Sequence, residues 1–416
     1  MARPESTPGE PSSPDASPVE TRRRGSIYHA ETLEDLEAAG AERQTFTLSR
    51  DAKLRLDRFL QSKLKGMSRN QVQRLIGLGG VLVNDKLAKA SLSLREGDRV
   101  DVLIPPKPAE RLDPEPIPLH VLYEDADLIA VNKQADLIVH PARAQLTGTM
   151  LNALIHHFQQ SGQTPQGPVD SLSSVGADDA RPGVVHRLDR FTTGVIVFAK
   201  RDASHWLLAR QWERRTNLKA YLAVVHGNFD PPAGAIDRPL GRHPTIREAQ
   251  AVRHDSSGKD SLTLYRTREQ YAGYSLVEFE LKTGRTHQIR VHASFAGHPL
   301  VGDILYGGEP VGPAELDDPP IPAASRPEVV FARTKEQGQK AQDAAKARPR
   351  ADLIMAVPAL HAALLRVEHP QDGRELLFTA PLHEPMATLV NELQARGVKR
   401  LPAKGSHIDL DKALPG

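Results

Sequence analysis

The chain has 416 residues, 39% hydrophobic and 25% charged, a balance that suits two or three globular domains rather than a fibrous protein. A formal net charge of +2 excludes a polycation, so any nucleic-acid surface must come from local clustering of Lys and Arg. The absence of cysteine removes disulfides, thiolate metal sites and cysteine nucleophiles, and no apolar run reaches the length of a membrane span.

Residues 1–44 read as a low-complexity tail, Pro-, Ser- and Glu-rich at first, with neither the apolar core of a secretory signal nor the acid-poor character of a transit peptide. A soluble, cytoplasmic protein is expected. A short helix is expected up to about Gln44, then a strand at Thr45–Leu48. From Arg55 the pattern sharpens: Leu56, Phe59, Leu60 and Leu64 make one helical face, and Ser68 caps a second helix that buries Val72, Leu75 and Ile76. Gly79-Gly80 ends it, Val81-Leu82-Val83 turns at Asn84-Asp85 as a hairpin, and Arg99–Ile104 follows as a strand.

Between Lys53 and Lys89 stand nine bases (Lys53, Arg55, Arg58, Lys63, Lys65, Arg69, Arg74, Lys86 and Lys89) against two acids, Asp57 and Asp85. That is an electrostatic footprint for a phosphate backbone. No aromatic platform interleaves the bases, which favours a folded RNA over stacked single strands. Arg55-Leu56-Asp57, Ser68-Arg69 and Gly80-Val81-Leu82-Val83-Asn84 resemble the S-four RNA-binding domain, and Arg69 and Arg74 of the basic face are expected at RNA. The unit is expected to span 45–104.

A proline-rich linker, 105–118, leads to a larger domain, 119–396. It opens with a hairpin, Leu119–Tyr123 and Leu128–Val131, followed by a helix from Met150 to about Phe158. A polar loop, about 161–182, precedes Gly183–Lys200, where His186-Arg187-Leu188-Asp189 lies between two apolar runs. Asp202 heads a helix with Trp206 and Trp212, and Leu218–Val225 is a strand. Gly258-Lys259 reads as a hairpin loop. Residues 309–358 read as an insertion with a basic helix at Lys335–Lys346, and 397–416 as a flexible tail.

The residues carry no phosphate loop, no Gly-x-Ser-x-Gly elbow and no His-Glu-x-x-His, so several nucleotide and hydrolytic chemistries drop out. His287, His292 and His298 lack metal-ligand spacing, and no metal is expected. Four elements remain: Asp189 with Arg187, Tyr221 in Lys219–Ala223, the polar block Thr283–His292, and Gly258-Lys259.

Ala130-Val131-Asn132-Lys133, Val139-His140-Pro141, His186-Arg187-Leu188-Asp189, Lys219-Ala220-Tyr221-Leu222-Ala223, Thr283–His292, Gly297–Asp303 and Leu360-His361-Ala362 together resemble the RluA family of RNA pseudouridine synthases. The resemblance implies an α+β fold: a small S-four-like domain, then an α/β catalytic domain on a long, bent, mainly antiparallel mixed sheet. It implies an isomerase that detaches uracil, turns it and rejoins it through carbon five. Asp189 would be the nucleophile, Arg290 its cationic partner, and Tyr221 the ring that stacks on the base and takes a proton or only stacks. Arg187 would enter the RNA and help extrude the base. Arg285, His186 and Lys133 join the expected substrate contacts, with His186 and His140 also read as orienting the nearby loops.

No cofactor is implied, the partner is RNA, and a monomer is the default. Large-subunit ribosomal RNA is the favoured substrate, with transfer RNA open. The sequence departs from the family pattern at Thr193, at Arg190-Phe191 and at Asp260-Ser261. Two rivals stand beside this reading: a non-catalytic RNA-binding or ribosome-assembly factor, and a glycosylase that releases uracil.

Overall fold

The computed structural model describes residue 33 and residues 41–51, 54–64, 69–104, 112–141, 147–160, 172–175, 181–319 and 352–414. Two compact units divide at Arg111. The expected cap Ser68, the basic helix at 335–346, residues 105–111 of the linker, and most of the N-terminal tail and of the polar loop lie outside the described residues.

In the first unit, β1 (Glu42–Thr47), β2 (Val81–Val83), β3 (Lys86–Leu87) and β4 (Arg99–Ile104) form one sheet in the order β1-β4-β2-β3. Helices α1 (Leu56–Lys63) and α2 (Arg69–Gly77) are built on it. Leu56, Leu60, Val72, Leu75, Val81, Val100 and Val102 make a closed core, as the helical and alternating patterns require. Asn84 and Asp85 have φ of 51° and 63°, the left-handed pair that a two-residue hairpin turn demands. The strand starts earlier than expected: Glu42–Gln44 are not helical but pair with Ile104–Val102 of β4. Asp57 points inward, accepting from Arg55, Gln73 and the Arg58 backbone N–H. One of the two acids of the basic stretch is thereby withdrawn from the surface.

The second unit is built on β5 (His120–Glu124), β6 (Leu128–Lys133), β7 (Thr193–Ala199), β8 (Leu218–His226), β9 (Ala233–Asp237), β12 (Leu262–Gln270), β13 (Tyr274–Leu281), β14 (Leu360–Glu368), β15 (Glu375–Thr379) and β16 (Lys399–Arg400). They form a mixed sheet with the path β16-β12-β13-β8-β14-β7-β6-β5; β9 adds to β12 and β15 to β14. Every pairing is antiparallel except β14 with β7. A separate ribbon pairs β10 (Leu240–Arg242) with β11 (Gln250–Val252).

Both faces of the central strands are buried, which is why they read as continuous apolar runs. Ile196, Phe198, Tyr221, Ala223 and Val225 face one cluster, covered by α3 (Met150–Gln160) and α5 (Gln288–Phe295). Val195, Val197, Ala220, Leu222 and Val224 face the other side. There α4 (Asp202–Arg214) contributes Leu208, and α7 (Met386–Ala395) contributes Leu389, Val390 and Leu393. At Gly194, φ is +106° and a β-carbon would meet the Ala362 carbonyl oxygen at 2.3 Å, so only glycine lets β14 pair there.

Two expected boundaries shift. The segment 309–358 is not wholly inserted: Val311 and Met355 form a bridge and are buried with Leu316 of α6 (Pro313–Asp317) in the core. Residues after 397 are not a loose tail. Ile408, Leu410 and Ala413 of the segment ending in α8 (Leu410–Ala413) pack into the same core, and the His407 backbone N–H donates to Glu278 at 2.8 Å.

Several rings are held neutral by burial: His186 is pushed down to about 3, and His226 and His361 to about 4. Unfolded histidines take up a proton near pH 6.5, so below that pH the unfolded chain binds more protons and stability falls as pH falls. Between pH 6.5 and 5, before carboxylates titrate, each ring is expected to remove up to about 1.4 kcal/mol per pH unit. Urea midpoints at pH 7, 6 and 5 measure this, and a flat profile would contradict it.

Candidate active site

Asp189 sits in the irregular segment leading into β7, tied down on both sides. Leu188 is buried in the core below, and the Asp189 carbonyl accepts from the Thr192 N–H at 3.1 Å. The next residue is fixed from beneath: the Arg190 carbonyl accepts from Lys133 Nζ at 2.8 Å and from the Leu137 N–H at 3.2 Å. The Asp189 carboxylate is thus presented, partly exposed, above a rigid support.

The polar block at the head of α5 meets it. Gln288 fastens that helix to β12, donating to the Leu262 carbonyl and Thr263 Oγ1 while accepting from Thr283 and the Arg285 N–H. Two residues on, Arg290 is buried and bidentate to Asp303, Nε to Oδ2 at 2.6 Å and Nη2 to Oδ1 at 2.8 Å. Its remaining nitrogen, Nη1, stands 3.5 Å from Asp189 Oδ2. Burial opposes the guanidinium charge, but Asp303 and Asp189 outweigh it and keep the group charged. The guanidinium also lies over the Tyr306 ring, 4.9 Å from its centre.

Tyr221 lies mid-strand on β8, on the face that carries Leu188. Burial, then the Asp189 charge, raises its phenol well above the usual value and keeps it protonated in the free protein. Arg187 is exposed and reaches across to the polar block, Nη2 donating to Thr286 Oγ1 at 2.8 Å. Asp189, Arg290, Tyr221 and Arg187 are therefore brought to one face.

Lys133 and His186, also expected at substrate, support the loop from within. Lys133 is fully buried, and its ammonium donates to the carbonyls of Gln134, Leu137 and Arg190 at 2.8–2.9 Å. Burial pushes it down to about 7, and its place is under the Asp189 loop rather than at a substrate surface. His186 stacks on Trp212 at 4.6 Å and its Nε2 accepts from the Val197 N–H, so it braces the loop. Arg285 is half-buried with Nε on the Asp260 carbonyl, and among the described residues no hydrogen bond or ion pair joins it to Asp189. Arg74 is exposed on α2 of the first unit; the side chain of Arg69 lies outside the described set.

The reading by residue type missed Asp303, His287 and Tyr306. Asp303 was visible in Gly302-Asp303, but nothing in the spacing says that it grips Arg290. Asp125, Asp127 and His369 also cluster with metal-ligand reach. Their oxygens already accept from the Tyr123 hydroxyl, from His369, from Ser204 and from Gln371, which accounts for the cluster without an ion.

A sequence profile described as RNA pseudouridylate synthase matches residues 127–295, and an S4 domain profile matches residues 54–100. An RNA pseudouridine synthase of Bacillus subtilis, YlyB, itself uncharacterised, is 35% identical over 343 residues, 82% of this chain and 95% of that protein. Ribosomal large subunit pseudouridine synthase D of Haemophilus influenzae is 34% identical over 342 residues, 82% of this chain and 91% of that one. The solved structure of human RNA pseudouridylate synthase domain containing 4 covers 68% of this chain and 95% of its own, at 19% identity and a TM-score of 0.46. With an N-terminal S4 domain, a catalytic domain on a mainly antiparallel sheet, and relatives matched over nearly their whole length, this chain belongs to the RluA family of RNA pseudouridine synthases.

Proposed function

We propose that the protein converts uridine to pseudouridine in large-subunit ribosomal RNA, in the cytoplasm, with Asp189 as the nucleophile. The observation that carries this is the Asp303–Arg290–Asp189 array, which faces the buried Tyr221. A carboxylate beside a fixed guanidinium attacks the ribose and later departs, so one difficult exchange becomes two easier ones. Arg290 is itself anchored by Asp303, so it offers its charge without reorganising. Tyr221 supplies a ring for the detached uracil and a hydroxyl near carbon five. Arg187, at the rim, fills the gap left in the RNA when the base swings out. The name of the Haemophilus relative supports ribosomal RNA as the substrate.

The test is release of tritium to water from ribosomal RNA labelled at carbon five of uridine. Release from transfer RNA alone would keep the chemistry and change the substrate. Free uracil in the supernatant would make the protein a glycosylase, and silence with both RNAs would leave a binding protein.

The basic unit makes a separate prediction. Arg69→Glu with Arg74→Glu is expected to weaken RNA binding about uniformly across sequences and to lower the salt slope by about one for each phosphate no longer neutralised. Filter binding over a salt series measures both, and an unchanged slope would take this surface out of the complex.

A further inference from the structure

Two nitrogens stand near one oxygen of Asp189. Arg290 Nη1 stands 3.5 Å from Oδ2, and His287 Nε2 stands 3.8 Å from the same atom. His287 precedes α5 in the left-handed region, with φ of 57°. A residue with a β-carbon keeps that conformation only where its surroundings impose it, and such residues gather at functional sites.

The other ring nitrogen decides where the proton sits. Nδ1 is 2.7 Å from the Tyr306 hydroxyl, whose oxygen accepts from the Gln250 backbone N–H at 2.9 Å. Tyr306 is buried, and among the described residues its hydroxyl has no other partner, so its own proton goes to His287 Nδ1. A neutral imidazole that accepts at Nδ1 carries its hydrogen on Nε2, the nitrogen that faces Asp189. Burial favours the neutral ring; the charged groups around it are Asp189, Arg290, Asp303 and Arg187.

We infer that His287, held as the Nε2–H tautomer by Tyr306, is a positioning residue: with Arg290 it engages Oδ2 of Asp189 and so presents Oδ1 to the ribose. This rests on the reading of Asp189 as nucleophile. Oδ1 gives an electron pair to the anomeric carbon, and the pair of the broken glycosidic bond leaves with the uracil. On return, carbon five of the uracil forms the new bond to the ribose, the Asp189 ester bond breaks back to the carboxylate, and the proton of carbon five is lost. The ring nitrogen takes a proton up, so no co-reactant is consumed. Through these steps Oδ2 becomes the ester carbonyl and returns, with its two donors in place. A neutral donor fits beside Arg290, because a second cation would bind the carboxylate too tightly for it to attack.

Nitrogen NMR of His287 in the full chain, without RNA, reads the tautomer directly: Nε2–H is expected, and Tyr306→Phe should mix the two forms. Tritium release from labelled ribosomal RNA then compares His287→Ala, His287→Gln and Asp189→Asn with the natural protein. His287→Ala is expected to lower kcat about tenfold with KM held within about twofold. His287→Gln, whose amide N–H reaches toward the same oxygen, should recover most of that loss. A ring protonated at Nδ1, an unchanged kcat for His287→Ala, or a Gln variant no better than Ala would overturn the inference while Asp189→Asn stays inactive. Full activity of Asp189→Asn would instead overturn the nucleophile, and this inference with it.

Discussion

Replacing Asp189 by Asn is expected to lower isomerisation by at least about ten-thousandfold while RNA binding stays within about twofold of the natural protein. The amide is nearly the same size, so the loop held by Lys133 and Leu188 keeps its shape. What disappears is the negative charge opposite Arg290 and the electron pair that makes a covalent bond. Single-turnover tritium release beside a filter-binding isotherm separates the two quantities. Residual release above about one per cent of the natural rate would sink Asp189 as nucleophile, since among the described residues no neighbouring carboxylate stands free to replace it: Asp303 is already bidentate to Arg290.

The second large effect is expected at Asp303. Asp303→Asn leaves the Arg290 charge buried and half-satisfied, and breaking a buried pair from one side costs about 3–5 kcal/mol. Activity should fall as well, because a guanidinium released from Asp303 swings onto Asp189 and occupies the nucleophile. A companion variant, Arg290→Met with Asp303→Leu, removes both charges, and is expected to regain most of the stability and none of the activity. Thermal unfolding and tritium release on the two variants decide the matter. Equal melting points for Asp303→Asn and the natural protein would show that the pair does not hold the site together.

Much of the fold was legible because its strands are buried on both faces. Val195–Ala199 read as a strand from its β-branched run, Leu218–Val225 read as a strand as well, and Asn84-Asp85 read as a turn from its tolerance of positive φ. The tail after Gly397 was not legible. Three of its apolar residues, Ile408, Leu410 and Ala413, are spaced among polar ones, and only the core they share with α7 tells that they are buried. In the site, Asp189 stood out as a charge between two apolar runs, and Arg290 through the family resemblance. Lys133 stood out through the same resemblance, and misleadingly, since a buried charge can serve a backbone as well as a substrate: here three carbonyls use its ammonium. Asp303 and His287 went unassigned because their importance lies in what they touch, across a gap in sequence that no periodicity spans.

The strand order carries a consequence for the birth of the enzyme. The strand bearing Tyr221 and the strand that follows Asp189 never touch each other by backbone bonds; Leu360–Glu368 lies between them and pairs with both. A chain emerging from the ribosome therefore presents Asp189, Tyr221 and Arg290 well before the strand that joins their supports has been made. At about 5–20 residues per second, roughly ten to forty seconds separate synthesis of residue 189 from that of residue 368. Throughout that interval the small N-terminal unit is complete and the catalytic constellation is not. An enzyme wired in this order is expected to stay chemically silent until Leu360–Glu368 has been made.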